Sequence, residues 1–387
     1  MLTRTLLFLA CVLLATACGS STAEVRDYQP VICDGPRPYE GAPLYAKPVE
    51  LPAASFTLGA PFDAATNDRL DQALTEAMKR AQAGVMTAAL GTMAGRWSAT
   101  RGADGAPRQE RLWWASVGKA LTATVIMQLV EEGKLRLDDS LARWLPDFPK
   151  AITIDHLLQH TAGVFSANED LVVRREPRYR TPEEGFAVAA RHGAMCCPGQ
   201  WWRYSNTGYE MLGRIIEAVD GRPYHVAVNA RIAERLQLTT LRALAPQEEP
   251  ADVAPLLPRD PAEPRMVPNW AYAAGGVVAS AEDMLRFWHA LLTGKLLSAA
   301  RTASLVERLY PMFDGGTFYG RGVMLYAFSH PTLGARTWIG HSGGSPGIKA
   351  VVAFSPADQA FVAVALTGDG SAEACANLLL SRLTTGK

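Results

Sequence analysis

The chain has 387 residues and 48% of them are hydrophobic, which is typical of a globular protein with one large or two modest domains. Its 38 basic residues are balanced by 38 acidic ones, so the formal net charge is zero. Such a chain has no overall field to attract nucleic acid or an anionic membrane surface, and we expect no nucleic-acid partner.

The first residues, MLTRTLLFLACVLLATAC, have the pattern of a targeting segment. Arg4 supplies a positive start, and the apolar run over 6–14 is short for a membrane span. The ATA sequence at 15–17 fits ordinary signal peptidase, and ahead of Cys18 it also resembles a bacterial lipobox. We predict a signal peptide over 1–17, cleavage before Cys18 and export to the periplasm. We expect Cys18 to be lipidated as a membrane anchor, and the alternative is a soluble secreted protein.

Four further cysteines belong to the predicted mature chain: Cys33, Cys196, Cys197 and Cys375. One disulfide is expected in an oxidising compartment, but the sequence does not assign the pairing. The spacing contains no C-x-x-C or zinc-type pattern, so these cysteines do not predict a metal site.

The first part of the predicted mature chain has no sustained hydrophobic periodicity. Residues 18–61 are rich in proline and small residues, which predicts a tether or an irregular surface arm ahead of a domain over 62–387. Apolar residues at helical spacing predict an amphipathic helix over 66–82, and short strand-like runs follow. The stretch over 116–133 is apolar on most sides and ends at a glycine, as expected for a buried helix.

The rest of the chain combines helices and strands. Residues 135–265 show helical patterns between proline-rich loops, which predicts an inserted, mostly helical region. The following patterns predict a strand, a helix, three strands and a final helix over 371–384. Sheet elements at both ends of a helical middle predict an α+β fold.

A serine near the C-terminus has the pattern of a nucleophile elbow. Ser342 lies in Gly340-His341-Ser342-Gly343-Gly344, which fits G-x-S-x-G. An elbow serine lies between a strand and a helix, and its acid and histidine partners follow it in the chain. All seven histidines precede Ser342, and the residues after it resemble a turn and a strand. Ser342 is therefore not the predicted nucleophile.

Ser116 and Lys119 form a second candidate. They are three residues apart at a predicted helix start, so they share one face with Cβ atoms about 5–6 Å apart. The helix N-terminus and the apolar surroundings both lower the pKa of a lysine there, and the free N–H groups favour an oxyanion. A serine–lysine pair is an alternative to the histidine-based triad. The pattern alone is short, and a serine cap with an exposed lysine would also explain it.

Further motifs follow in a fixed order. Tyr204-Ser205-Asn206 and then His341-Ser342-Gly343 succeed the S-x-x-K motif, and the chain thereby resembles the serine β-lactamase and penicillin-binding-protein superfamily, on its class C side. That branch carries S-x-x-K, Y-x-N and K/H-x-G in this order. LLQHTAGV (157–164) and AAGGVVASAEDMLRF (273–287) resemble two accessory segments of the family. The resemblance covers about 65–385 and implies a β-lactamase/transpeptidase-like fold, with a mainly antiparallel sheet flanked by helices.

The resemblance implies catalytic roles for three residues. Ser116 would attack an acyl carbon and form an acyl-enzyme, while Lys119 and Tyr204 would share the proton transfer. A tyrosine hydroxyl is useful only where positive charge lowers its pKa from about 10, and Lys119 is the expected source. Asn206 would bind the substrate's amide carbonyl and help orient Lys119, unless it is simply the cap of the following helix.

The third motif would form one wall of the site. Gly343 would let an edge strand lie against the substrate, and the backbone N–H groups of Ser116 and Gly344 would form the oxyanion hole. His341 would be a substrate-binding residue that replaces the lysine common in β-lactamases. Because an ordinary histidine is mostly neutral at pH 7, its hold on a substrate carboxylate would be weaker.

Together these residues predict an exported serine hydrolase that cleaves an ester or amide in a small-molecule or peptide substrate. Histidine at position 341 resembles certain D,D-peptidases, D-amino-acid peptidases and esterases, which favours these activities. The alternatives are a β-lactamase and a non-catalytic cell-envelope binding lipoprotein. No cofactor is implied. His156 and His160 have the spacing of a zinc pair, but a leucine replaces the glutamate of H-E-x-x-H, so no metal is implied either.

Overall fold

A computed structural model describes residues 29–385, except 109–110, 177, 261, 263–266, 314 and 331–333. The predicted signal peptide, its cleavage site and Cys18 lie outside the described residues. Across the described ranges, no helix combines the length and apolar character needed to cross a bilayer.

The described strands form two antiparallel sheets. They are β1 (Val85–Gly91), β2 (Arg96–Gly102), β3 (Leu112–Trp113), β4 (Arg242–Ala243), β5 (Val277–Ala279), β6 (Tyr310–Pro311), β7 (Thr317–Tyr319), β8 (Met324–His330), β9 (Gly334–Ser345), β10 (Ile348–Ser355) and β11 (Ala360–Thr367). The main sheet has the order β2-β1-β11-β10-β9-β8-β7-β6, and a small sheet has the order β3-β5-β4. The first and last long strands of the chain, β1 and β11, are therefore neighbours in one sheet.

Helices cover both faces of the main sheet. They are α1 (Ala64–Ala81), α2 (Gly118–Glu131), α3 (Ile154–Leu158), α4 (Leu171–Arg175), α5 (Pro182–His192), α6 (Asn206–Asp220), α7 (Tyr224–Val228), α8 (Ala281–Leu292), α9 (Ala299–Ser304) and α10 (Ala372–Thr385). Successive strand residues face opposite layers. Val351 and Val362 pack in a cluster with α1 and α10, whereas Val352 and Phe361 join the larger core that contains α2, α6 and α8. Burial on both faces explains why β10 and β11 are almost continuously apolar.

The predicted α+β fold, a mainly antiparallel sheet flanked by helices, is confirmed. The region 135–265 contains α3 to α7 and contributes only β4 to a sheet. The sequence prediction missed β9, because its glycines and polar residues hide the strand pattern, and it also missed β6 and β7.

Residues 29–61 have an irregular course along the surface of the fold. The backbone N–H groups of Val31, Arg37 and Tyr45 donate to carbonyl groups in the body of the protein. A disulfide joins Cys33 to Cys197 across 164 residues of sequence, while Cys196 and Cys375 are buried free thiols. The cysteine pairing that the sequence left open is therefore Cys33 with Cys197.

We expect the double variant Cys33→Ser/Cys197→Ser to unfold at a lower urea concentration, with a loss of about 2–5 kcal/mol, because the bond closes a very long loop. Fluorescence-monitored unfolding measures this change. Dithiothreitol should shift the wild-type midpoint to that of the variant and leave the variant's own midpoint unmoved. A wild-type midpoint that ignores the reductant would contradict the prediction.

Candidate active site

Ser116 lies in a strained turn that leads directly into the buried helix α2. The turn is a single 3₁₀ segment, Ala115–Val117, and Ala115 has a φ of 45°, which is costly for a residue with a side chain. The preceding Trp113 and Trp114 are buried and donate their indole N–H groups to main-chain carbonyls in and beside β5. These bonds hold the turn in place and present Ser116 at the edge of a pocket.

Lys119 is fully buried beside Ser116, as the i,i+3 spacing predicts. Its Nζ lies 3.3 Å from Ser116 Oγ, 2.6 Å from Asn206 Oδ1 and 2.7 Å from the Ala274 carbonyl oxygen. Burial lowers the pKa of Lys119 to about 7, although the charge of Glu210 opposes the shift. A neutral amine has two N–H groups, and Asn206 and Ala274 accept both. Its lone pair is then left for the Ser116 hydroxyl proton.

This pKa predicts the pH dependence of turnover. Because only the neutral amine accepts a proton, kcat/KM should fall about tenfold for each pH unit below 7 and level off above it. A pH–rate profile on a substrate without titratable groups measures this fall in kcat/KM. A profile that stays flat from pH 5 to pH 8 would show that Lys119 is not the base.

Tyr204 lies against the same lysine. Its ring centroid is 4.8 Å from Lys119 Nζ, and its hydroxyl hydrogen-bonds Ser116. Burial nevertheless raises the pKa of Tyr204 above its usual value of 10, and this outweighs the lowering effect of the hydrogen bond. The expectation that Lys119 would lower this pKa is wrong, because both groups are desolvated and the lysine itself loses its charge near neutrality. Tyr204 is therefore a neutral phenol that can pass a proton on.

Asn206 bridges the lysine and the pocket. Its Oδ1 accepts from Lys119, its Nδ2 donates to Asn168 Oδ1 at 2.9 Å, and its backbone N–H donates to Ser166 Oγ at 2.9 Å. The cap of α6 is Ser205, so the alternative that Asn206 is only a helix cap is wrong. One amide hydrogen of Asn206 remains for a ligand in the pocket, which this side chain lines.

The wall of the site is the end of β9. This strand pairs with β8 only as far as Gly340, and its residues 341–345 pair with β10 alone. A Cβ atom on Gly343 would lie 2.4 Å from the Trp114 carbonyl oxygen and 2.8 Å from the Ser116 nitrogen. Gly343 thus permits close approach of the strand to the nucleophile turn, rather than to the substrate as predicted. Gly344 and Ser345 face the pocket.

We expect Gly343→Ala to lower the free energy of unfolding by about 1–3 kcal/mol and to reduce turnover, because the added methyl group pushes the Ser116 turn away from β9. Thermal and urea unfolding measure the first effect and ester hydrolysis the second. Gly344→Ala is the matched control for stability, since its nearest contact is the flexible side chain of Lys349 at 3.1 Å. Equal unfolding free energies for the two variants would refute this packing explanation.

His341 lies behind this wall and not in the pocket. Its side chain is fully buried, with Nδ1 2.7 Å from the Ser342 carbonyl oxygen and Nε2 3.1 Å from the Tyr319 hydroxyl. Burial lowers the pKa of His341 to about 3, and the charge of Lys119 adds to the effect. The imidazole is therefore neutral and supports the strand from inside. This geometry does not support the predicted direct contact between the His341 side chain and substrate.

Several residues of the site were not predicted as such. His160 has a φ of 59°, accepts the Ser205 N–H at Nδ1 (3.1 Å) and lies with its ring 4.3 Å from that of Tyr204. The LLQHTAGV segment was the available signal, but it indicated only a structural loop. Asn168 and Glu210 also line the pocket, and no motif in the sequence pointed to them.

The pocket itself is a cavity of about 100 Å³ that opens to solvent. It has the nucleophile and β9 on one side and a mixed polar and aromatic surface on the other. Its lining consists of Trp113, Ala115, Ser116, Asn168, Asn206, Glu210, Trp270, Ala271, Ala274, Gly344 and Ser345. In the ranges that the structure describes, there is no group of three His, Cys, Asp or Glu residues arranged to hold a metal ion.

A serine whose hydroxyl contacts a buried lysine and tyrosine, between a helical region and an antiparallel sheet, defines a serine hydrolase of the β-lactamase type. The Beta-lactamase family model matches residues 70–385, and the chain belongs to this family. It is 30% identical to Penicillin-binding protein 4 of Amycolatopsis lactamdurans over 66% of this chain and 72% of that protein. It is 32% identical to Esterase EstB of Burkholderia gladioli over 32% of this chain and 36% of that protein.

Solved structures give the same result at the level of fold. A D-stereospecific amidohydrolase from Streptomyces sp. superposes with a TM-score of 0.70 and 27% identity, covering 83% of this chain and 99% of that one. Among the proteins similar in sequence, the putative penicillin-binding protein PbpX of Bacillus subtilis is 30% identical, and the alignment covers 59% of that protein.

Proposed function

We propose that this enzyme hydrolyses an ester or amide through an acyl-enzyme on Ser116. The observation that carries the proposal is the set of three contacts that Lys119 Nζ makes with Ser116 Oγ, Asn206 Oδ1 and the Ala274 carbonyl oxygen. In the neutral amine the last two accept the N–H groups, which leaves the lone pair for the Ser116 proton. That arrangement prepares a base for the hydroxyl proton at neutral pH.

The proposed reaction has two halves. Ser116 Oγ attacks the acyl carbon while its proton passes to Lys119, and the backbone N–H groups of Ser116 and Gly344 stabilise the oxyanion. Tyr204, bonded to Ser116, relays the proton to the departing alcohol or amine. Water then attacks the acyl-enzyme with the same groups acting in reverse, which returns Ser116 to its hydroxyl form.

The proposed activity is that of an esterase or a D,D-peptidase-like amidase. His341 is buried and neutral, so position 341 supplies no fixed cation for the carboxylate of a β-lactam. The similarity to proteins named as an esterase and a D-stereospecific amidohydrolase supports the same choice.

Export is part of the proposal. The signal-like N-terminus predicts it, and the Cys33–Cys197 disulfide is typical of an oxidising compartment. The lipobox interpretation makes Cys18 a membrane anchor. Fractionation of cells that express the full chain tests this, because Cys18→Ala should move the protein from the membrane fraction to the soluble fraction. Unchanged fractionation would contradict the anchor.

A substrate panel tests the activity. We expect the purified soluble enzyme to turn over p-nitrophenyl esters or D-Ala-D-Ala peptides faster than nitrocefin, and Ser116→Ala to abolish each activity. Faster nitrocefin hydrolysis would favour the β-lactamase alternative. Failure of every activated ester to turn over or to acylate the protein would favour the non-catalytic binding role.

A further inference from the structure

An unpaired carboxylate lies in the candidate active site. Glu210 is on α6, one turn after Asn206, and it lines the same pocket as Ser116. Glu210 is partly exposed, and it also lines an adjoining cavity, with its Oε2 beside Gly185 of α5. Within the described residues its carboxylate makes no hydrogen bond or ion pair. Charged groups withdrawn from bulk water are normally paired, so a carboxylate left without a partner in a binding pocket indicates a cationic ligand.

The electrostatics of the pocket agree with a missing cation. Burial raises the pKa of Glu210 to about 7, and the charge of Lys119 only partly opposes this shift. In the proposed mechanism Lys119 must be neutral, which removes the nearby positive charge when the enzyme is ready to react. With Lys119 neutral, Glu210 ionises less readily, and Arg180, which lines an adjoining cavity with it, is bound to Glu176. A positive group on the substrate would hold Glu210 in its carboxylate form.

The shape of the pocket sets where that positive group would lie. Ser116 and Gly344 define the reacting end, and Asn168, Asn206 and Glu210 provide the polar surface beyond it. Glu210 lies one turn along α6 from Asn206, whose Oδ1 accepts from Lys119, so the two side chains share one face of the helix. The pocket opens to solvent, so its volume does not select the ligand, and the selective feature is the unpaired Glu210 carboxylate at its polar end. A primary ammonium on the acyl group is a compact cation that fits there.

We propose that Glu210 binds a primary ammonium group on the acyl part of the substrate, so that the enzyme prefers aminoacyl esters or amides over their uncharged counterparts. This inference rests on the proposed acyl-enzyme function. Glu210 is a specificity residue here, since it contacts the substrate but takes no part in bond making.

A competing explanation is that Glu210 acts only through Lys119. In that case its removal would change the pKa of the base and alter the turnover of every substrate by the same factor. An interaction with a substrate ammonium changes only the ratio between amine-bearing and amine-free substrates. The two explanations therefore differ in a ratio of kcat/KM values, measured at one pH.

The test uses p-nitrophenyl esters of propionate, D-alanine, L-alanine and β-alanine, which share a leaving group and differ in the amine. Rates are corrected with Ser116→Ala. Because an ammonium group activates the ester by itself, each kcat/KM is divided by that ester's own rate constant for hydroxide hydrolysis. On this scale wild-type enzyme should favour one or more of the amine esters over propionate by about tenfold or more, the size expected for a charge-assisted bond. Glu210→Gln should bring this ratio close to one.

The control variant is Glu183→Gln. Glu183 lies on α5 and pairs with Arg214 of α6, and neither residue lines the pocket, so the variant should leave the ratio unchanged. Hydrolysis of the propionate ester without any preference for an amine would overturn the inference and leave the proposed function intact. An amine preference that survives in Glu210→Gln would also overturn it. No hydrolysis of any ester would overturn the proposed function and this inference together. The wild-type ratio remains decisive even if Glu210→Gln does not fold.

Discussion

Ser116→Ala should lower kcat/KM for any substrate of this enzyme by about 10⁴-fold or more, because the nucleophile and the acyl-enzyme step are both lost. The strained residue of this turn is Ala115 and not Ser116. Replacing Ser116 by alanine should therefore keep the backbone conformation and remove only the hydroxyl group. Circular dichroism and the melting temperature should remain those of the wild type. The activity that survives measures what the oxyanion hole and binding achieve alone.

The matched control is Ser342→Ala. Ser342 belongs to the G-x-S-x-G pattern, but its Oγ lies 3.6 Å from Met324 Sδ and the residue is part of strand β9. We expect the variant to keep kcat/KM within about tenfold of the wild type, as for a residue next to the site that makes no bond to the substrate. The opposite pattern, with Ser342→Ala inactive and Ser116→Ala active, would mean that the other serine is the nucleophile.

Lys119→Met should reduce kcat/KM by about 10²–10⁴-fold, since methionine preserves the buried volume and removes the general base. The same change leaves Asn206 Oδ1 and the Ala274 carbonyl oxygen without their donor, so a loss of about 1–3 kcal/mol in unfolding free energy should accompany it. Activity and urea unfolding are measured on the same preparation, at temperatures where the variant is folded.

Lys134→Met is the control for this prediction. Lys134 follows α2, lies on the surface and pairs with Glu132, so its removal should leave both turnover and stability near those of the wild type. If Lys119→Met retains most of its activity while folded, the base is a different group and the mechanism proposed for Ser116 is wrong.

The sequence predicted best those site residues whose contacts are local. Ser116 and Lys119 meet because they are three residues apart at a helix start, and the same spacing appears in the structure as a 3.3 Å contact. The apolar periods of α1, α10, β10 and β11 likewise predicted those elements. The motif order then placed Tyr204 and Asn206 beside the pair without requiring knowledge of the intervening chain.

The sequence failed where the outcome depends on register or on distant backbone groups. Side chains alternate along a strand, so the burial of His341 follows from the pairing of β9 with β10, which no motif reveals. The Ala274 carbonyl that accepts from Lys119 comes from a segment 155 residues away, and a backbone acceptor leaves no sequence signal. Glu210 was missed because one acidic residue on an amphipathic helix resembles any solvated position.

Active-site labelling tests the central claim most directly. The purified enzyme is treated with a fluorophosphonate, which loses fluoride to an activated serine, and intact mass followed by peptide mass spectrometry locates the adduct. We predict a single adduct on the peptide that contains Ser116, formed faster above pH 7 than below it and absent after prior acylation by a slow ester. An adduct on Ser342, or full hydrolytic activity in a protein that takes up no label, would contradict the account.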